Sequence, residues 1–141
     1  MPRFPSARTR APQILARLGE LYPHATCSLD WTTPYELLVA TMLSAQCTDE
    51  RVNLITPALF ERFPDAAAAA ASTPAEVEPY VKSAGFFRNK ARNIVAASRL
   101  LIERHGGEVP RTMEELLVLP GVARKTASVV LAWAYGINAG V

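Results

Sequence analysis

An all-α fold is predicted for this 141-residue chain, from three observations. Helix-start signals recur along it, apolar residues return at helical spacing between them, and no stretch shows the apolar–polar alternation of a strand. Half of the residues are hydrophobic, enough to build a core for one ordinary domain.

The opening residues 1–12 carry three Pro and three Arg (Arg3, Arg8, Arg10) and little to bury, and read as a flexible basic arm. Over residues 13–21, Ile14, Leu15, Leu18 and Leu21 fall at helical spacing, and Tyr22-Pro23-His24 stops that first helix. Thr33-Pro34-Tyr35-Glu36 then combines an N-cap, a proline at the first helical position and a glutamate placed for a capping box. The helix it opens, Leu37-Leu38-Val39-Ala40-Thr41-Met42-Leu43, is apolar nearly all round and belongs at the centre of a helical bundle. Asp49 is the expected cap of residues 50–63, a helix that Pro57 should kink or break. Asp65 precedes the alanine tract 66–71, a short helix by propensity. Thr73-Pro74-Ala75-Glu76 and Thr112-Met113-Glu114-Glu115 repeat the capping signal. Between them residues 89–105 form a helix with Ile94, Val95, Leu101 and Ile102 on its apolar side, ended by Gly106-Gly107.

A net charge of +2 does not by itself argue for a nucleic-acid partner. Its distribution says more. Lys82, Arg88, Lys90, Arg92, Arg99 and Arg104 face a single acid, Glu103, within one stretch, which reads equally as a solvated helix face or as a phosphate-facing surface. Cys27 and Cys47 have no CxxC spacing and imply neither a disulfide framework nor a metal site. They are expected to be reduced thiols of a cytoplasmic protein. No apolar run reaches the roughly 18 residues of a membrane helix.

Residues 116–127 read Leu-Leu-Val-Leu-Pro-Gly-Val-Ala-Arg-Lys-Thr-Ala, a short helix broken at Pro120-Gly121 and restarted at once. Glycine permits a tight turn where a side chain would block a close approach. Gly121, Val122 and Ala123 are expected to present free amides to a phosphate, with Arg124 reinforcing them. A plain helical turn is the ordinary alternative. Lys125 lies in the first turn of the second helix, where the helix dipole, Arg124 and burial all disfavour its ammonium and favour a nucleophilic amine. A surface lysine contacting phosphate is the plainer reading of that position.

The string resembles the helix-hairpin-helix element of endonuclease III-like base-excision glycosylases of the HhH-GPD superfamily, and the resemblance extends from about Gln13 to Val141. It implies a six-helix bundle domain over residues 27–141, with the hairpin at 112–135. The first helix, 13–26, then belongs to a second, cluster-side domain otherwise absent here. Lys125 matches the Schiff-base lysine of the bifunctional members, which adenine-specific relatives lack. Leu43-Ser44-Ala45-Gln46-Cys47-Thr48-Asp49 is similar to the family loop whose glutamine fills the space left by a flipped base, so Gln46 inherits that role. Lys82-Ser83-Ala84-Gly85-Phe86-Phe87-Arg88 matches a glycine followed by an apolar wedge; Phe86 stands where relatives often carry leucine, and Phe87 reads as a core residue. The backbone carbonyls of Leu117, Leu119 and Val122 match a family-type cation site.

The implied function is removal of oxidised pyrimidines from duplex DNA, followed by AP lyase cleavage through a Lys125 Schiff base and β-elimination. The expected partner is double-stranded DNA with damaged pyrimidines or abasic sites, met by a monomer associated with a bacterial nucleoid. A [4Fe-4S] cluster is expected, with ligands outside this chain. The sequence stops where the family's Val-Asp-Thr-His segment, with its catalytic aspartate, is due; Asp30, Asp49 and Asp65 are wrongly placed to replace it. The chain is therefore expected to be a partial form without turnover of its own. A glycosylase with another base preference and a non-catalytic helix-hairpin-helix DNA-binding module are the alternatives. Lys125 and the Ser44 to Asp49 loop argue against the adenine branch of the first, and an Asp soon after Val141 with a later cysteine cluster separates the enzyme from the second.

Overall fold

A computed structural model describes residues 4–139, and every regular element among them is helical. Residues 1–3 and 140–141 of the expected arm and C-terminal segment lie outside the described residues.

The first helix, α1 (Ala7–Leu21), starts before Pro12 rather than after it, so residues 7–12 are not the flexible arm the composition predicts. Ser6 caps it by accepting the Thr9 amide at 3.4 Å. Ala7, Arg8, Arg10 and Ala11 are good helix formers, and a proline in the second turn removes a single backbone bond. None of α1 is buried, and Ile14, Leu15, Leu18 and Leu21 are all exposed.

The apolar segment becomes α2 (Pro34–Leu43), where Tyr35 and every residue from Leu37 to Leu43 are buried. Thr33 Oγ1 accepts the Glu36 amide at 3.1 Å. The Glu36 carboxylate reaches one residue further back than a capping box requires, accepting the Thr32 amide and hydroxyl at 2.7 Å each. Removing the Thr33 cap leaves an amide of this central helix without its partner. Thr33→Ala is expected to lower stability by about 1 kcal/mol in urea unfolding.

Helix α3 (Asp49–Arg62) is capped by Thr48, whose hydroxyl accepts the Arg51 amide at 3.2 Å. Asp49, predicted to be the cap, is instead the first helical residue, and its carboxylate accepts the Ser28 hydroxyl. The helix runs unbroken through Pro57. That residue is exposed, while Val52, Ile55, Thr56 and Leu59 are buried, so packing on the inner face outweighs one lost backbone bond. Beyond α4 (Ala66–Ala70) and α5 (Pro74–Val81), a 3₁₀ turn over Lys82–Ala84 leads into α6 (Phe87–His105), which ends in left-handed Gly106. Glu76 accepts the Thr73 amide at 2.7 Å to cap α5. The hairpin comprises α7 (Met113–Val118) and α8 (Arg124–Tyr135).

Helix α6 packs across α4 and α5, while α8 packs on α2 and α7. Phe63 at the end of α3 meets the Tyr80 ring of α5 edge-on, 5.6 Å between centroids. Inside the bundle the Tyr35 hydroxyl lies 3.2 Å from Ser98 Oγ, and burial pushes its pKa up to about 12. Among the described residues seven α-helices follow α1, one more than the six-helix bundle that the resemblance implies, the extra one being the five-residue α4 or another of the short helices.

Candidate nucleic-acid interface

The hairpin takes the shape the sequence predicts. The Thr112 hydroxyl caps α7 and also donates to Glu115 at 2.8 Å. The Leu119 amide bonds to the Leu116 carbonyl, and Pro120-Gly121 then turns the chain into Ala123, which precedes α8. Gly121 has φ +79°, and a Cβ there would lie 2.8 Å from the Cβ of Asn93 on α6. Contact with the protein's own α6 thus requires a glycine here.

Val122 does not offer the free amide expected of it, because its N–H donates to Leu119 O at 3.2 Å within the turn. The amides of Gly121, Ala123, Arg124, Lys125 and Thr126 have no hydrogen-bond acceptor among the described residues. Arg124 is exposed at the start of α8, beside this positive helix end. In the turn, the Leu119 carbonyl already accepts one bond, whereas those of Leu117 and Val122 accept none among the described residues.

Lys125, the second residue of α8, is exposed and not buried as the sequence reading supposed. The inner face of α8, Ala127, Val130 and Leu131, is committed to the core, which turns Lys125 outward. It lines a largely apolar groove of about 610 Å³ with Ser128, Val129, Ala132, Trp133 and Asn138. Sequence reading missed Ser128 and Trp133, although both share a helical face with Lys125. Among the described residues no carboxylate lines this groove.

Gln46 and Phe86, on separate loops 40 residues apart in sequence, come together. They line one cavity of about 220 Å³ with Met42, Asn89, Lys90, Asn93 and Gly121 of the hairpin. They are also the two non-glycine residues with positive φ among the described residues, at 53° and 48°. A side chain in the left-handed region costs roughly 1–2 kcal/mol, and such strain persists where the surroundings impose it. Both residues are exposed. Phe87, by contrast, packs partly against the core, with the Arg88 guanidinium 5.1 Å from its ring centre.

The basic stretch divides into distinct roles. Lys90 is buried, contrary to both readings of that stretch, and its ammonium donates to three backbone carbonyls: Leu43 at 2.9 Å, Ala45 at 2.8 Å and Ala84 at 3.0 Å. Burial holds its pKa below the usual lysine value, partly opposed by nearby Cys47. Spacing would have revealed it, since Lys90 shares the α6 face of Ile94, Ala97 and Leu101. Arg99 donates to Ala70 O and Ser72 O and ties α6 to the end of α4. Lys82, Arg88, Arg92 and Arg104 remain exposed, and Arg88 and Arg92 line a groove beside Phe86. Among the described residues no three His, Cys, Asp or Glu side chains cluster to hold a metal ion, so these residues offer no ligand set for an iron–sulfur cluster.

Residues 39–134 match the family model of HhH-GPD superfamily base excision DNA repair proteins. The chain is 63% identical to endonuclease III of Synechocystis sp. over 139 residues, covering 99% of this chain and 64% of that protein. Against endonuclease III of Bacillus subtilis the identity is 47%, covering 89% of this chain and 57% of the relative. A non-covalent endonuclease III–DNA complex superposes with a TM-score of 0.87 at 42% identity, over 94% of this chain and 62% of that one. A trapped covalent endonuclease III–DNA intermediate superposes equally well, with a TM-score of 0.87. The chain thus spans somewhat less than two thirds of the length of these relatives. With its hairpin, fold and sequence all in agreement, the chain belongs to the HhH-GPD superfamily of base excision DNA repair proteins.

Proposed function

We propose that the protein removes oxidised pyrimidines from duplex DNA and cleaves the resulting abasic strand, with Lys125 as nucleophile. The observation that carries this reading is the meeting of Gln46 and Phe86 on one cavity beside Gly121 of the hairpin. One end of this surface offers unpaired amides for a phosphate; the other offers an amide side chain and an aromatic ring for a disrupted base stack. The solved complexes of endonuclease III with DNA, one of them covalent, support the same orientation of function.

In the proposed reaction the hairpin amides, Arg124, Arg88 and Arg92 hold phosphates, Phe86 wedges the stack, and Gln46 takes the space of the extruded base. The neutral Lys125 amine attacks the sugar C1′, the glycosidic bond breaks, and its electron pair leaves with the base, which takes up a proton. Loss of the amine proton and opening of the sugar ring leave a Schiff base. Removal of a C2′ proton then expels the 3′ phosphate by β-elimination. The aspartate that the resemblance assigns to charge stabilisation and proton removal is assigned beyond Val141, as are the ligands of the [4Fe-4S] cluster, and no step here runs through that cluster. We assign α1 to the cluster-side domain and residues 27–141 to the bundle of a monomeric protein. The exposed apolar side chains of α1 favour that division. The carbonyls of Leu117, Leu119 and Val122 are proposed to hold a cation at the DNA phosphate.

Gln46→Ala and Phe86→Ala test the reading in the full-length protein. Each side chain is engaged only when the stack is opened, so each substitution should cost about 1–3 kcal/mol of damage-specific binding, the scale of base–aromatic stacking. Binding to undamaged duplex should change little. Equal losses on a duplex containing an abasic-site analogue and on its undamaged counterpart, measured at one salt concentration, would contradict the assignment.

A further inference from the structure

We propose that Lys90 is a positioning residue that locks the Gln46 loop and the Phe86 loop into one rigid DNA-distorting unit. The inference rests on the roles proposed above for Gln46 and Phe86. The two loops are far apart in sequence, one after α2 and the other after the 3₁₀ turn that follows α5. Lys90, in the first turn of α6, reaches both. Its ammonium has three N–H donors, and the structure uses all three on backbone carbonyls: Leu43 and Ala45 just before Gln46, and Ala84 two residues before Phe86. The backbone amide of Lys90 adds a fourth tie, donating to the carbonyl of Phe86 itself at 3.0 Å.

Both distal residues sit in a backbone region that side chains avoid, at φ 53° and 48°, and such conformations persist only where neighbouring structure imposes them. Lys90 supplies that constraint. It is the one charged side chain buried among the described residues, and no carboxylate pairs with it. A buried cation held only by main-chain oxygens would be a poor stabilising device, since a well-packed apolar residue avoids the desolvation cost. Its geometry instead fixes the positions of three specific backbone atoms. Carbonyl oxygens splayed around one ammonium cannot separate without leaving it unpaired, so the loops move together or not at all. Neither Gln46 nor Phe86 could then enter a duplex in the wrong register relative to the other, and the preorganisation removes an ordering cost from the bound state.

The test uses the full-length protein with Lys90→Met, which keeps the stem and removes the donors, and Lys90→Arg, whose planar fork cannot satisfy three convergent carbonyls in the same way. Affinities for a duplex bearing a tetrahydrofuran abasic-site analogue and for the undamaged duplex are measured at matched salt. The fluorescence of 2-aminopurine beside the lesion reports stack opening. Discrimination should fall about tenfold in Lys90→Met and about threefold in Lys90→Arg, with the 2-aminopurine response reduced in the same order. Undamaged binding should stay within about twofold. Wild-type discrimination in both variants, or equal losses on both duplexes, overturns the proposal. Should Lys90→Met not fold, Lys90→Arg decides alone by the same criterion. Gln46→Ala and Phe86→Ala are run in parallel. If they keep wild-type discrimination, the reading of those two side chains fails; if they lose it and the Lys90 variants do not, the Lys90 inference alone fails.

Discussion

Lys125→Gln should abolish borohydride trapping of the full-length protein on a duplex containing an oxidised pyrimidine, while leaving affinity for that duplex within about threefold of wild type. Trapping requires an amine that forms a Schiff base, and glutamine offers an amide of similar reach with no nucleophilic lone pair. The phosphate contacts proposed above come from elsewhere. The unpaired amides of Gly121, Ala123, Arg124 and Thr126, and the exposed Arg88, Arg92 and Arg124, are all unaffected by the change. Lys125 is exposed and lines a groove of its own, so the substitution buries nothing and stability should hold. Trapping at the wild-type level in the variant would remove Lys125 from the reaction. Loss of binding in step with loss of trapping would make it a phosphate contact instead.

Gly121→Ala should destabilise the protein by about 2–4 kcal/mol and lower binding to damaged and undamaged duplexes alike. Two causes add. At φ +79° a Cβ costs roughly 1–2 kcal/mol, and the new carbon would lie 2.8 Å from Asn93 Cβ, forcing a shift of backbone against α6. Asn93→Ala should rescue it only in part, because alanine removes the contacts with Nδ2 at 2.9 Å and Cγ at 3.0 Å but keeps the Cβ at 2.8 Å and leaves the positive φ unchanged. Urea unfolding of the single and double variants decides this. A change under about 0.5 kcal/mol would mean that the turn relaxes freely and that its geometry is not fixed by α6.

Helix positions were legible in the sequence because they are set locally. Thr33, Thr73 and Thr112 each stand at the start of the helix they announce, and Gly106 ends α6 in the left-handed conformation its type permits. The local reading failed where two signals competed within a turn: Thr48 rather than Asp49 caps α3, and good helix formers carry α1 through Pro12. Pro57 does not break α3 because the buried face of Val52, Ile55, Thr56 and Leu59 outweighs the bond it removes, a property of packing that no local rule contains.

The hairpin was equally readable, since Pro120, Gly121 and Lys125 act within a few residues of one another. What the sequence determined by itself was the set of helices, the hairpin, and the residue types available for phosphate contact and nucleophilic attack. Only the tertiary structure brought Gln46 and Phe86 to one cavity, buried Lys90 between their loops and turned Lys125 outward. The reason is physical. Caps and turns depend on dihedral preferences and bonds across three or four residues, whereas those three outcomes depend on which helix faces pack together, and that is decided by burial over the whole chain.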